Sequence, residues 1–195
     1  MADATSRKEQ IYKASAKLFS ERGYHATSMR DLAHALGVQG GSLYAHISSK
    51  EELLWEIVNR AADEFDTALE PIRDSRMAAP EKLRSALEAH FNVISQNREI
   101  VTVFFHEWKH LPIIKMEEIT ERRASVERIY RQILEEGVRN AHFRKDLDFR
   151  LASLLSLSSA NWTYQWLNPN GRLTAKEVAD SFCGMLLDGF RKAPN

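Results

Sequence analysis

The chain has 195 residues, 44% of them hydrophobic, and 27 basic side chains balance 27 acidic ones. That length allows one large domain or two small ones, and the apolar content excludes global disorder. The single cysteine, Cys183, excludes an intrachain disulfide framework and a Cys-rich zinc site; no apolar run approaches the roughly 18 residues that span a bilayer, and no signal-like segment opens the chain. The expectation is a cytoplasmic protein with no membrane partner.

The predicted elements, in chain order, are all helical. Ser6-Arg7-Lys8-Glu9 reads as a capping box that opens a helix through Ile11, Ala14, Leu18 and Phe19, ended by Gly23. Thr27 or Ser28 caps a short second helix with Met29, Leu32 and Ala33, and Gly37 breaks it. A third short helix covers about Gln39 to His46. Ser49-Lys50-Glu51-Glu52 is a second capping box and opens a long fourth helix, Ser49 to about Ile72.

Pro71 and Pro80 bracket the next connection, and Leu83, Leu87, His90, Phe91 and Ile94 form the stripe of the helix that follows. The strand-like run Ile100 to Phe105 lies inside a helical pattern and is read as buried helix. Pro112 opens a long helix reaching Gly137 or Asn140. Leu147 to Leu167 is helical, Asn168 to Gly171 is a turn, and Thr174 to Glu177 caps a last helix ending near Lys192. The fold class is all-α with about nine helices.

Zero net charge argues at first sight against a nucleic-acid partner. Its distribution is uneven: residues 1–50 hold seven basic and four acidic side chains, residues 51–195 hold 20 and 23. The spacing of Ala33, Gly37 and Leu43 is that of a helix-turn-helix. A small residue lets two helices cross closely, a glycine takes the backbone conformation of the tight turn, and an aliphatic residue plugs the core. The outer face of the second helix is then free to enter a major groove.

The stretch Leu18 to Leu54, with Phe19, Gly23-Tyr24, Thr27, Leu32-Ala33, Gly37-Val38, Leu43-Tyr44 and Ser49 to Leu53, resembles the DNA-binding domain of the tetracycline-repressor (TetR) family. The resemblance implies a homodimer with an N-terminal helix-turn-helix three-helix domain, residues 1–50, and a C-terminal ligand-binding and dimerisation bundle, residues 51–195. It departs from the family pattern at Gln39-Gly40, where Ser or Thr followed by Lys is usual, and at His46-Ile47. On this frame Thr27, Ser28 and Arg30 hold phosphate at a helix N-terminus. Gln39 and Ser42 face base edges, and a Gln amide can pair with adenine N6 and N7. Gly40 allows close approach, Tyr44 and His46 hold the DNA backbone, and Lys50 is a phosphate contact.

The body is similar to the acyl-CoA-responsive, KstR-like branch of that family in three stretches: FFHEWKHL, ERRASVERIYRQILEEGVRNAHFRKDLD and NWTYQWLNPNGRL. The resemblance implies a small-molecule effector, an acyl-CoA thioester, with its acyl chain among Phe104, Phe105, Trp108 and Trp162. A helical bundle that senses a small molecule needs an apolar cavity, and His106, Glu107, Tyr130, Asn161 and Gln165 are the polar groups that could orient a ligand within it. The CoA phosphates need cations, and Arg123 is one of seven basic residues across 121–145 that could supply them; the same residues also read as surface i,i+4 pairs.

Leu147, Leu151, Leu154, Leu155, Trp162 and Trp166, with Val178, Phe182, Met185, Leu186 and Phe190, form two wide apolar faces. They fit a two-fold four-helix dimer interface or a thicker monomer core. His106-Glu107-Trp108-Lys109-His110 also matches H-E-x-x-H, which on a helix would bind zinc with Glu107 as general base. No third ligand follows, and Pro112 comes two residues later, so a zinc hydrolase is the alternative and no catalytic residue, metal or cofactor is assigned. The expected function is a ligand-responsive repressor that binds a palindromic double-stranded operator as a dimer and is released by its effector.

Overall fold

The computed structural model describes residues 2–190, with side chains over 7–189. Nine α-helices and two short 3-10 segments appear among the described residues: α1 (Ala2–Arg22), α2 (Met29–Ala35), α3 (Gly40–Tyr44), α4 (Lys50–Arg73), α5 (Ala79–Gln96), α6 (Arg98–His106), α7 (Ile113–Arg139), α8 (Phe149–Asn161) and α9 (Ala175–Phe190). The 3-10 segments are Trp108–His110 and Trp162–Gln165. Among the described residues no helix is long and apolar enough to cross a membrane.

The chain packs as two compact units. The first joins residues up to Ala62 with Asn97–Thr120; the second joins Asp63–Gln96 with the chain from Glu121 onward. Division by packing therefore differs from the functional division drawn at residue 50, because α6 lies on α1 in the first unit. The apolar stripe of Ile100 to Phe105 is the reason: Val101, Val103 and Phe104 are buried.

The first unit is built on Ile11, Leu18 and Phe19 of α1, Leu32 and Ala33 of α2, Leu43 of α3, and Leu53, Leu54, Ile57 and Val58 of α4, all buried. α1 begins at Ala2, upstream of the expected cap at Ser6, whose side chain lies outside the described residues. The α4 box is only half of what its sequence predicts. Ser49 Oγ accepts from the Glu52 N–H (3.0 Å), but the Glu52 carboxylate reaches the N–H and hydroxyl of Ser48, each at 2.6 Å.

The second unit centres on α5, with Leu83, Leu87 and Phe91 fully buried against α7 residues Ile129, Tyr130, Ile133 and Leu134 and α9 residues Ala179 and Cys183. Each Leu, Ile and Phe side chain among them contributes roughly 1.5–3 kcal/mol by leaving water. Burial pushes the Cys183 thiol pKa up. Pro71 does not end α4, which runs two residues further. The proline removes only its own N–H; Asp74 still donates to Glu70 O (3.1 Å). The buried Lys82 ammonium closes that helix end, donating to Arg73 O (3.1 Å) and to Glu136 (2.7 Å). The last capping box forms as its sequence predicts: the Thr174 hydroxyl and N–H donate to Glu177, and the Glu177 N–H donates back. Phe190's side chain and Lys192 lie outside the described residues.

Candidate nucleic-acid interface

The turn from α1 into α2 needs a left-handed residue. Gly23 supplies it at φ +87°, its N–H donating to Phe19 O (3.0 Å). Ser28 then caps α2: its hydroxyl accepts from the Asp31 N–H (3.1 Å), and the Asp31 carboxylate accepts from the Ser28 N–H (2.8 Å). The Ser28 hydroxyl also donates to that carboxylate, and this bond, then the one from the Ser28 N–H, holds the Asp31 carboxyl below the ordinary carboxylate range. Gly37, at φ +66°, makes the turn into α3, where no L side chain fits without strain.

Buried Leu43 pins α3, so the helix presents Gln39, Gly40, Ser42 and Tyr44 outward, and His46 follows just beyond it, also exposed. Tyr44 is 56% exposed, unusual for so large a ring. With Arg30 it borders an open concavity of about 410 Å³ whose other walls include Met29, His34 and Val38. Sequence reading missed these last three because they carry no charge pattern.

Lys50 is half-buried, its ammonium 4.2 Å from the centre of the Tyr24 ring, and burial pulls its pKa down. Thr27 departs from expectation. It is fully buried, and its hydroxyl donates to Gly23 O (2.9 Å), so it closes the turn and does not face a phosphate. The pairing of Ser28 with Asp31 likewise makes its hydroxyl a cap first.

The proposed effector residues do not gather in one unit. Phe104, Phe105, His106 and Trp108 belong to the first, whereas Arg123, Tyr130, Asn161, Trp162 and Gln165 belong to the second. Phe104 is buried core, while His106, Trp162 and Gln165 are exposed. In the second unit Tyr130 is fully buried, with its hydroxyl near Ala86 O (3.3 Å) and His90 Nδ1 (3.4 Å). His90 Nε2 donates to Asn161 Oδ1 (3.0 Å). Arg123 is half-buried, and burial lowers its guanidinium pKa. Several neighbouring cations meet carboxylates: Arg122 with Asp63 and Asp66, Arg128 with Glu121.

The H-E-x-x-H segment is not one helical face. α6 stops at His106, Glu107 sits at the break, and Trp108–His110 is a 3-10 turn. Among the described residues no group of three or more His, Cys, Asp or Glu is placed to hold a metal.

Two family models match: "Bacterial regulatory proteins, tetR family" over residues 11–57, and "Tetracyclin repressor-like, C-terminal domain" over residues 77–190. The chain belongs to the TetR family. It is 30% identical over 189 residues to the HTH-type transcriptional repressor KstR2 of Mycolicibacterium smegmatis, covering 96% of this chain and 92% of that one. The structure of the ketosteroid transcriptional regulator KstR2 of Mycobacterium tuberculosis superposes with a TM-score of 0.89 at 29% identity, covering 95% of each chain. AibR, solved in complex with isovaleryl coenzyme A and operator DNA, gives 0.80 at 27% identity, covering 93% of this chain and 98% of that one. This TetR-family chain is thus a DNA-binding transcriptional regulator and not an enzyme.

Proposed function

We propose that the protein is a repressor that binds a palindromic operator as a homodimer and is released by an acyl-CoA thioester. The observation that carries the reading is the outward face of α3, with Gln39, Ser42 and Tyr44 exposed beside Arg30 on a helix-turn-helix whose α2 opens on a capping box. Gln39 and Ser42 read base edges, Arg30, Tyr44, His46 and Lys50 hold phosphates, and two α3 helices enter grooves about 34 Å apart. Residues 1–50 bind DNA and residues 51–195 bind effector and partner.

Dimerisation is supported by Leu151, Leu155 and Trp162, each more than half exposed, and by Met185 of α9 at 65%. Apolar side chains of that size in water favour a second copy. The effector class is supported by likeness to AibR, which was solved with isovaleryl coenzyme A. Duplex selected by the protein from a random pool, titrated with acyl-CoAs of increasing chain length, tests both halves. Release by one chain length is expected; no selected duplex sinks the repressor, and no release by any chain length sinks the effector class alone.

A further inference from the structure

The HEWKH segment has a use that its zinc-like spacing hides. Glu107 Oε2 accepts a hydrogen bond from the Tyr24 N–H at 3.1 Å, across 83 residues of chain. His110 lies nearly parallel to the Tyr24 ring, centroids 5.9 Å apart and planes 15° from each other. Its Nδ1 is 3.0 Å from His25 Nε2, and its Nε2 is 3.5 Å from Glu107 Oε2. Burial, then the nearby His25, hold the His110 imidazole below the ordinary histidine range. The Phe19 ring meets Tyr24 edge-on at 5.4 Å, and the Lys50 ammonium lies over the same ring. Tyr24 is thus held by its backbone from Glu107 and by its ring from three sides of the sequence, α1, α4 and the 3-10 turn.

We propose that Glu107 is a positioning residue for DNA binding: it fixes the turn between α1 and α2 through the Tyr24 N–H and, through the Tyr24 ring, the place of the Lys50 ammonium. This rests on the reading of Lys50 as a phosphate contact. A hydrogen bond to a carboxylate is stronger than one between neutral groups, and Gly23, next to Tyr24, has no side chain to brace the turn itself. Without the carboxylate the Tyr24 amide loses its partner, the ring relaxes, and Lys50 no longer meets the phosphate in one geometry.

The test uses full-length variants and a duplex selected by the wild-type protein from a random pool, with affinity read by fluorescence anisotropy between about 50 and 200 mM salt. Lys50→Ala should weaken binding about tenfold and flatten the salt slope by about one. Glu107→Ala should weaken it about fivefold with the same flattening, and Glu107→Gln, which keeps an acceptor, should recover to within about twofold. The double variant should be no weaker than Lys50→Ala alone to within about twofold, because the two act on one contact. A general loss of structure would leave the slope unchanged and add to Lys50→Ala. If Glu107→Ala yields no folded protein, His110→Ala, which removes the stacked ring, is read in the same way. Full affinity in Glu107→Ala, or additive loss at an unchanged slope, with Lys50→Ala still weakened, overturns the inference and leaves the reading of Lys50 standing. A silent Lys50→Ala overturns both.

Discussion

His90 and Asn161 form a hydrogen bond of 3.0 Å inside the second unit, with the imidazole 1% exposed and its pKa lowered by burial to about 4. The unfolded chain takes up a proton near pH 6.5, the folded chain only near 4. Stability from this site is therefore complete above pH 6.5 and lost as pH falls toward 4, by about 3 kcal/mol. Urea unfolding across that range should show the decline, and His90→Gln, which keeps a donor for Asn161, should flatten it. An equal decline in the variant would place the proton elsewhere.

Ser28→Ala should cost about 1 kcal/mol, because its hydroxyl is the acceptor for the Asp31 N–H in the α2 capping box. Thr174→Ala should cost a similar amount at α9. Thermal denaturation measures both. Only the Ser28 variant should also lower DNA affinity, since α2 carries α3 into place.

Gly137→Ala should be markedly more disruptive than its position near a helix end suggests. A Cβ there would stand 2.1 Å from the buried Phe143 ring, so the ring must move. Overpacking of this kind costs about 1–3 kcal/mol. A urea midpoint matching wild type would mean that the ring has room to yield.

Gln39→Ala should relax base preference at one operator position, whereas Arg30→Ala should weaken all duplexes alike and reduce the salt slope by about one. Selection from a random pool with each variant separates the two behaviours. An unchanged preference in Gln39→Ala would remove it from base reading.

Leu155→Glu should leave the helical content intact and shift the protein to a monomer in sedimentation analysis, with DNA affinity falling because two half-sites are no longer joined. Leu155 is 53% exposed and lies outside the buried core, so the change costs little packing within the chain. A dimer that persists would move the interface off α8.

Local chemistry was the legible part of this chain. Gly23, Gly37, Ser28, Thr174 and Pro112 act on their immediate neighbours, and each does in the structure what its residue type predicts. The Asp148 cap of α8 had the same kind of signal and went unread; its carboxylate accepts from the Leu151 N–H at 3.0 Å. Pro71 falls inside α4, whose expected end at about Ile72 is one residue short of Arg73, because a proline near a helix end deletes one donor without blocking the bonds that follow. The HEWKH segment misled. Its spacing fits two histidines on one helical turn, but the helix stops between them, and the partners of Glu107 and His110 are far away in sequence. Thr27 likewise looks like a surface hydroxyl until the turn at Gly23 folds over it.

Cys183 offers a clock for one half of the molecule. It is the sole thiol in the chain, fully buried where α9 lies along α5, and its raised pKa keeps it protonated. A thiol reagent can reach it only when the second unit opens, so the speed of labelling counts those openings without any engineered probe. A small molecule that binds the second unit should slow the clock in proportion to its occupancy, and operator DNA gripping the first unit need not.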